Sequence, residues 1–161
     1  MIGICGASGY IGWELFRYLK DHDEKVMGTY YKSKKRGLVK YDLREDHFRR
    51  FDDCKFVVIT TAYAKIEFCR INKIEAYWLN VYRTKALLQY LHDKNIPSFF
   101  ISSDIAEKPK TVYGKYKREV EQFIDKMNLD AEYIRPGKIN DSNINDLCKE
   151  IYVKIKKTVR S

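Results

Sequence analysis

The chain has 161 residues, of which 45% are hydrophobic and 33% charged, and it carries a formal net charge of +9. This length gives room for one ordinary domain with one core, and the composition excludes a chain that is disordered throughout. No run of about 18 apolar residues occurs, and no basic segment with an apolar stretch opens the chain, which argues against a membrane span and against export.

The cysteines and the basic residues exclude further classes of protein. The four cysteines are Cys5, Cys54, Cys69 and Cys148. They are too far apart for a C-x-x-C metal site or a dense disulfide framework, so we expect reduced thiols, a cytoplasmic location and no metal. The lysines and arginines form short clusters at 32–36, 108–117 and 154–157. Such clusters favour a solvated surface over a nucleic-acid track.

Predicted strands and helices alternate along the chain. In order, we expect a strand at 2–5, a helix at 13–21, strands at 25–31 and 39–43, a brief helix at 46–51, a strand at 56–60, a helix at about 74–92, a strand at 98–102, a helix at 111–127, a strand at 131–135 and a helix at 143–159. The strands are too continuously apolar to face water on one side. We therefore predict an α/β fold of the Rossmann type, a doubly wound parallel sheet with helices on both faces, in a single domain over residues 1–161.

A glycine-rich turn joins the first predicted strand to the first predicted helix. Gly6 suits a sharp turn, Gly9 lets a pyrophosphate approach the backbone, and Gly12 lets the helix pack close to the strand. The free N–H groups at the helix N-terminus favour phosphate. We predict a dinucleotide site with contacts from Gly6, Ser8, Gly9, Tyr10, Ile11 and Gly12. A glycine turn without a ligand is the alternative.

The loop after the second predicted strand indicates which dinucleotide binds. Rossmann domains that bind NAD carry an acidic residue there, which holds the ribose hydroxyls and repels a 2′-phosphate. In this chain, residues 29–36 offer hydroxyls and cations instead. These groups suit a dianionic phosphate, so we predict NADP(H) in preference to NAD(H), with contacts from Tyr31, Lys32, Lys35 and Arg36. A basic loop that is merely solvated is the alternative.

A Tyr-x-x-x-Lys pattern opens the predicted helix at 111–127. Tyr113 and Lys117 would stand one turn apart on the same face, where an ammonium lowers the pKa of a phenol toward working pH. Tyr113 could then exchange a proton with a substrate oxygen while Lys117 holds the nicotinamide ribose. Ser103 follows a buried strand at the edge where ligand sites in such sheets lie. A chance match, and a turn serine for Ser103, are the alternatives.

These motifs resemble the extended short-chain dehydrogenase/reductase superfamily, of the NAD-dependent epimerase/dehydratase type. The Arg-Pro-Gly run at 135–137 resembles the pattern of this superfamily after its late strand. Residues 58–65, with 67–69, Ala76 and Asn80, resemble, within it, dTDP-4-dehydrorhamnose reductases and related sugar-nucleotide enzymes. The resemblance implies a substrate-orienting role for Ser103, a catalytic role for Asn80, and cofactor contacts from Asp42, Leu43, Thr61 and Ala62. It implies NADPH-linked reduction of a carbonyl on a nucleotide-activated sugar, or epimerisation, with the proton supplied by Tyr113.

Two departures from the family pattern keep other functions open. Only nine residues separate Ser103 from Tyr113, and the chain has little after residue 137 where the family continues into a substrate lobe. Substrate would then be bound through a partner chain, through the helix at 143–159, or not at all. The alternative to an enzyme is a catalytically inactive NADP(H)-binding module or subunit. A homodimer through the helices at 74–92 and 111–127 is a further expectation from the resemblance.

Overall fold

The computed structural model describes residues 1–160 and contains one six-stranded parallel sheet. Its strands are β1 (Ile2–Cys5), β2 (Val26–Tyr30), β3 (Leu38–Lys40), β4 (Phe56–Ile59), β5 (Ser98–Ile101) and β6 (Ala131–Ile134). Their order across the sheet is β3-β2-β1-β4-β5-β6, and every pairing is parallel. The order reverses between β1 and β4, and such a switch point leaves a crevice at the carboxyl ends of the strands.

Helices cover both faces of the sheet, which confirms the predicted doubly wound fold. The helices are α1 (Tyr10–Asp21), α2 (Ile66–Ile71), α3 (Lys73–Tyr77), α4 (Thr84–Asp93), α5 (Val112–Met127) and α6 (Ile144–Arg160). Phe56 and Val58 alternate with Val57 and Ile59 along β4, so each pair points to an opposite face. One face packs in a cluster with α1 and α6, and the other in a cluster with α4 and α5.

The C-terminal helix α6 belongs to the domain core. Its buried side chains Ile144, Leu147, Cys148, Ile151 and Ile155 join the cluster built on β1 and α1. Each large aliphatic side chain buried in this way contributes about 1.5–3 kcal/mol. Helix α6 therefore completes one face of the sheet.

The structure departs from several of the predicted elements, and α1 begins at Tyr10 rather than at residue 13. The third strand covers Leu38–Lys40 rather than 39–43. The amide of Tyr41 makes the last bond to β2, at the carbonyl of Tyr30, and the chain then turns at Asp42, whose carbonyl accepts from the amide of Asp46. The brief helix at 46–51 is a 3₁₀ turn at Phe48–Phe51. The helix at 74–92 contains a π-helical turn at Trp78–Arg83, which separates α3 from α4.

One helix, α2, was not predicted. It has six residues, and Cys69 is its single buried side chain, so it has no amphipathic period to detect. Among the described helices, none is both long and apolar enough to cross a membrane.

Candidate active site

The glycine turn after β1 has the geometry that the sequence predicts. Gly6 adopts φ +92°, in the region that favours glycine. Gly9 is the N-cap of α1, with φ −70° and ψ 167°, and no side chain caps this helix. The first amides of α1 are therefore left to bind an anion or water.

The space around the three glycines differs in a way that bears on a ligand. A Cβ on Gly6 would lie 2.5 Å from Thr61 Oγ1, and one on Gly12 would lie 2.5 Å from the carbonyl oxygen of Gly6. Those two glycines are required by the fold itself. A Cβ on Gly9 would meet only the Gly6 carbonyl oxygen, at 3.6 Å. The absence of a side chain at Gly9 thus leaves room that the protein does not fill.

Two cavities meet at this turn, at the carboxyl ends of the strands. The first, which we call the β2 cavity, has a volume of about 230 Å³ and extends from Gly9 to Tyr31 and Lys32. The second, the α5 cavity, has a volume of about 510 Å³ and extends from Gly9 to Tyr113. Both are lined by Gly9, Thr60 and Ala62.

The cavities include most of the predicted site residues. The β2 cavity is lined by Gly6, Ser8, Gly9, Tyr31, Lys32, Asp42, Leu43, Thr61 and Ala62. The α5 cavity is lined by Gly9, Tyr10, Ile11, Gly12, Ser103, Tyr113 and Lys117. Lys35 and Arg36 line neither: Lys35 Nζ lies 4.6 Å from the centroid of the Trp13 ring, and Arg36 is exposed. Of the four predicted contacts to a 2′-phosphate, the structure thus brings Tyr31 and Lys32 to the cavity.

Asp42 is bound by an arginine that the sequence analysis missed. Arg44 donates to both carboxylate oxygens of Asp42, at 2.7–3.2 Å, and its guanidinium lies 4.3 Å from the centroid of the Tyr31 ring. The hydrogen bonds from Arg44 hold the pKa of Asp42 below its ordinary value. Arg44 also donates to Tyr63 Oη at 3.1 Å, so it ties the loop after β3 to the loop after β4.

Helix α5 places Tyr113 and Lys117 on the α5 cavity. The helix begins cleanly because Thr111 Oγ1 accepts a hydrogen bond from the amide of Gly114, at 3.0 Å. Lys117 is 4% exposed, and its ammonium donates to the carbonyl oxygen of Ile101 at 2.7 Å. Burial lowers the pKa of Lys117 to about 8. An ammonium has three N–H donors, so this bond leaves others for a ligand.

The expected lowering of the Tyr113 pKa is wrong for this structure. Burial of the phenol, followed by the charges of Cys69 and Asp104, raises its pKa to about 12. Lys117 Nζ lies 5.6 Å from the centroid of the Tyr113 ring and bonds to a carbonyl. Desolvation of a phenolate therefore outweighs attraction to this ammonium. Tyr113 is therefore a neutral phenol at pH 7 and carries a proton.

Asn80 has a structural partner rather than a place on the α5 cavity. It lies buried in the π-helical turn, where its Oδ1 accepts from the amide of Tyr63 at 2.8 Å and its Nδ2 donates to the Tyr63 carbonyl oxygen at 3.0 Å. Asn80 thus holds the loop after β4, which lines both cavities through Ala62. π-Helical turns are frequent at functional sites.

Behind Ser103 lies a buried ionic network that the sequence did not reveal. Glu121 on α5 is 0% exposed and accepts from Ser102 Oγ at 2.5 Å and from Arg135 Nε at 2.9 Å. Ser103 itself is partly exposed, and its hydroxyl donates to Asp104 at 3.2 Å. A charged residue on the apolar stripe of α5, beside Val120 and Ile124, was the available signal.

Comparison with known protein families identifies one family by sequence. The sequence model described as the NAD dependent epimerase/dehydratase family matches residues 2–136. No curated protein sequence matches this chain closely enough to count as a relative.

Many solved structures have a similar fold, and three of them differ in their identity to this chain and in the share of each chain that is covered. A dTDP-4-dehydrorhamnose reductase from Clostridium acetobutylicum is 20% identical, with a TM-score of 0.78 over 98% of this chain and 70% of its own. A hypothetical dTDP-4-dehydrorhamnose reductase from Sulfolobus tokodaii is 26% identical, with a TM-score of 0.71 over 85% and 56%. MoeE5, solved with UDP-glucose and NAD, is 18% identical, with a TM-score of 0.73 over 84% and 52%. This chain spans about half the length of several such structures.

Proposed function

Since the chain belongs to the NAD dependent epimerase/dehydratase family, we propose that it is a reductase or epimerase of a nucleotide-activated sugar and uses NADP(H) in preference to NAD(H). One observation carries this proposal. Two cavities open on either side of Gly9, one reaching the basic loop after β2 and the other reaching Tyr113. A dinucleotide has the same plan, two nucleosides joined by a pyrophosphate that would lie at the turn.

The residues present fit such a cofactor. The unfilled space at Gly9 and the uncapped amides of α1 suit the pyrophosphate, and the β2 cavity suits adenosine. Lys117, with donors to spare beside its bond to Ile101, would hold the nicotinamide ribose. When bound, the cofactor supplies or accepts a hydride.

The remaining chemistry falls to side chains on the α5 cavity. Tyr113, a neutral phenol at pH 7, would give its hydroxyl proton to the substrate oxygen as a carbonyl becomes an alcohol. Ser103 borders the same cavity and would orient that oxygen by a hydrogen bond. Lys117 would place a positive charge where negative charge develops on the oxygen.

The direct test is turnover by the purified chain. We expect oxidation of NADPH, followed by its absorbance, with at least one member of a panel of UDP- and dTDP-linked 4-keto sugars. Epimerisation would appear as sugar interconversion without net cofactor oxidation. Tight NADPH binding with neither reaction across the panel would instead support a binding module or subunit.

Cofactor preference is tested by Lys32→Ala. Loss of a charge-assisted hydrogen bond to a 2′-phosphate should raise the Kd for NADPH about 10-fold, with little change for NADH. Lys34→Ala is the matched control, because Lys34 is an exposed cation of the same loop and does not line the β2 cavity. Equal Kd values of the wild-type chain for the two cofactors, measured by calorimetry, would contradict the preference.

We also propose that two copies of the chain associate through α3, the π-helical turn and α5. This surface exposes Ile74 at 90%, together with Trp78 and Tyr82, whose rings stack 4.6 Å apart. Ile74→Asp should weaken the dimer at least about 10-fold in sedimentation experiments. Val153→Asp, at an exposed apolar position on α6, should not. A monomeric wild-type chain would count against the dimer.

A cytoplasmic location belongs to the same proposal. All four cysteines are buried free thiols, and no disulfide joins residues within the described part of the chain. Free thiols are typical of a reducing compartment. Recovery of the intact protein in the cytoplasmic fraction of its cells would agree with this proposal, whereas recovery outside them would contradict it.

A further inference from the structure

Two residues of α5, one helical turn apart, form hydrogen bonds to the end of β5. We call these two bonds the α5–β5 contact. Lys117 donates to the carbonyl oxygen of Ile101, and Glu121 accepts from the hydroxyl of the next residue, Ser102. The residue after Ser102 is Ser103, which borders the α5 cavity. The α5–β5 contact therefore sets the distance between Ser103, which follows β5, and the start of α5.

Glu121 also bonds to the residue that follows the neighbouring strand, β6. Arg135, which follows β6, donates to both carboxylate oxygens of Glu121, at 2.9 and 2.7 Å. The amide of Ser102 bonds to the carbonyl of Ile134 at 2.8 Å. Pro136 and Gly137, directly after Arg135, line the α5 cavity. One buried carboxylate thus fixes two walls of this cavity.

Glu121 is also the main source of negative charge for Lys117. Four other groups in the described part of the chain face Lys117. They are the thiol of Cys69 on α2, the neutral ring of Phe100 and the carbonyl of Ile101 on β5, and the phenol of Tyr113 on α5. Arg135 and Arg118 are both ion-paired with Glu121. Although burial alone would raise the pKa of Glu121, hydrogen bonds from Arg135 and Ser102 leave it below its ordinary value, so the carboxylate is charged.

We propose that Glu121 is a positioning residue: it fixes the β5 end that carries Ser103 against the helix that carries Tyr113, and its charge keeps Lys117 cationic. The inference rests on the proposed function for its catalytic meaning. Its electrostatic half can be tested in the chain without substrate or cofactor, so a chain that shows no turnover still tests it.

The electrostatic test is an NMR titration of the lysine side chains in the labelled full chain, with Lys117→Arg used to assign the Lys117 signal. In Glu121→Gln, Arg135 and Arg118 lose their counter-charge, so Lys117 should titrate about 1 pH unit or more below wild type. Mere loosening of the structure would expose the ammonium and move its titration upward. An unchanged or higher titration in folded Glu121→Gln would overturn the proposal.

The positional test is kinetic. Ser102→Ala removes one bond of the α5–β5 contact but keeps the charge of Glu121. We therefore expect kcat to fall about 10-fold while Lys117 titrates as in wild type. In Glu121→Gln the alkaline limb of the kcat profile should also move to lower pH. Unchanged kcat in Ser102→Ala would overturn the positional half.

A further variant covers the case in which Glu121→Gln does not fold. Arg118 has a side chain that is 37% exposed and pairs with Glu121 at 3.2 Å. Arg118→Gln removes a cation without burying a new group, so Lys117 should titrate higher than in wild type. An unmoved titration in this variant would overturn the electrostatic half.

Discussion

Replacement of Tyr113 with phenylalanine is expected to lower kcat by about 10²- to 10⁴-fold, the usual worth of a positioned proton donor. The variant keeps the ring, which packs near Lys117 and fills its place at the start of α5. The Kd for NADPH should therefore change little. Steady-state kinetics on the substrate found in the panel, with calorimetry for the cofactor, would measure both quantities.

A matched control lies three residues further along the same helix. The hydroxyl of Tyr116 donates to the carbonyl oxygen of Lys73 at 3.2 Å, and Tyr116 does not line the α5 cavity. Tyr116→Phe should turn over like wild type. If Tyr113→Phe did the same, another group would have to supply the proton, and the assignment of Tyr113 would be refuted.

The second large effect is expected at Gly9. The backbone there, with φ −70° and ψ 167°, is one that valine adopts easily, and the nearest protein atom to an added Cβ is 3.6 Å away. Gly9→Val should therefore fold with a melting temperature close to wild type. Its side chain would occupy the space assigned to the pyrophosphate, so we expect the Kd for both nicotinamide cofactors to rise at least about 100-fold.

Gly12→Ala separates this effect from damage to the fold. Its Cβ would meet the Gly6 carbonyl oxygen at 2.5 Å and Thr60 Oγ1 at 2.8 Å, so backbone atoms would have to move. Such overpacking costs about 1–3 kcal/mol, and we expect a lower melting temperature. Wild-type cofactor affinity in Gly9→Val would exclude the glycine turn as the pyrophosphate site.

The fold could be predicted because its signals are local. A continuous apolar run such as 56–60 and a glycine turn before an amphipathic helix each fit one structure, and their alternation fixes a parallel sheet. The family resemblance rested on the same short motifs, and the match over residues 2–136 confirms it.

The side-chain interactions of the site were harder to predict. They depend on opposing contributions to a pKa and on partners that are far apart in the sequence. The pKa of Tyr113 combines burial with nearby charges, and a sequence gives the charges but not the burial. The pairing of Glu121 with Arg135 joins a helix to a strand end, which helical spacing does not reveal. Lys35 and Arg36 belong to the predicted basic loop, yet the loop carries them away from the β2 cavity.

The π-helical turn at Trp78–Arg83 separates α3 from α4 and also carries Asn80, which holds the loop after β4. An α-helix advances about 100° per residue, so deletion of one residue there would rotate α3 by about that angle relative to α4. Ile74 would swing off the outer surface, and Asn80 would lose its grip on Tyr63. The exposed surface of α3 and the conformation of the loop after β4, which lines both cavities, would thus change together.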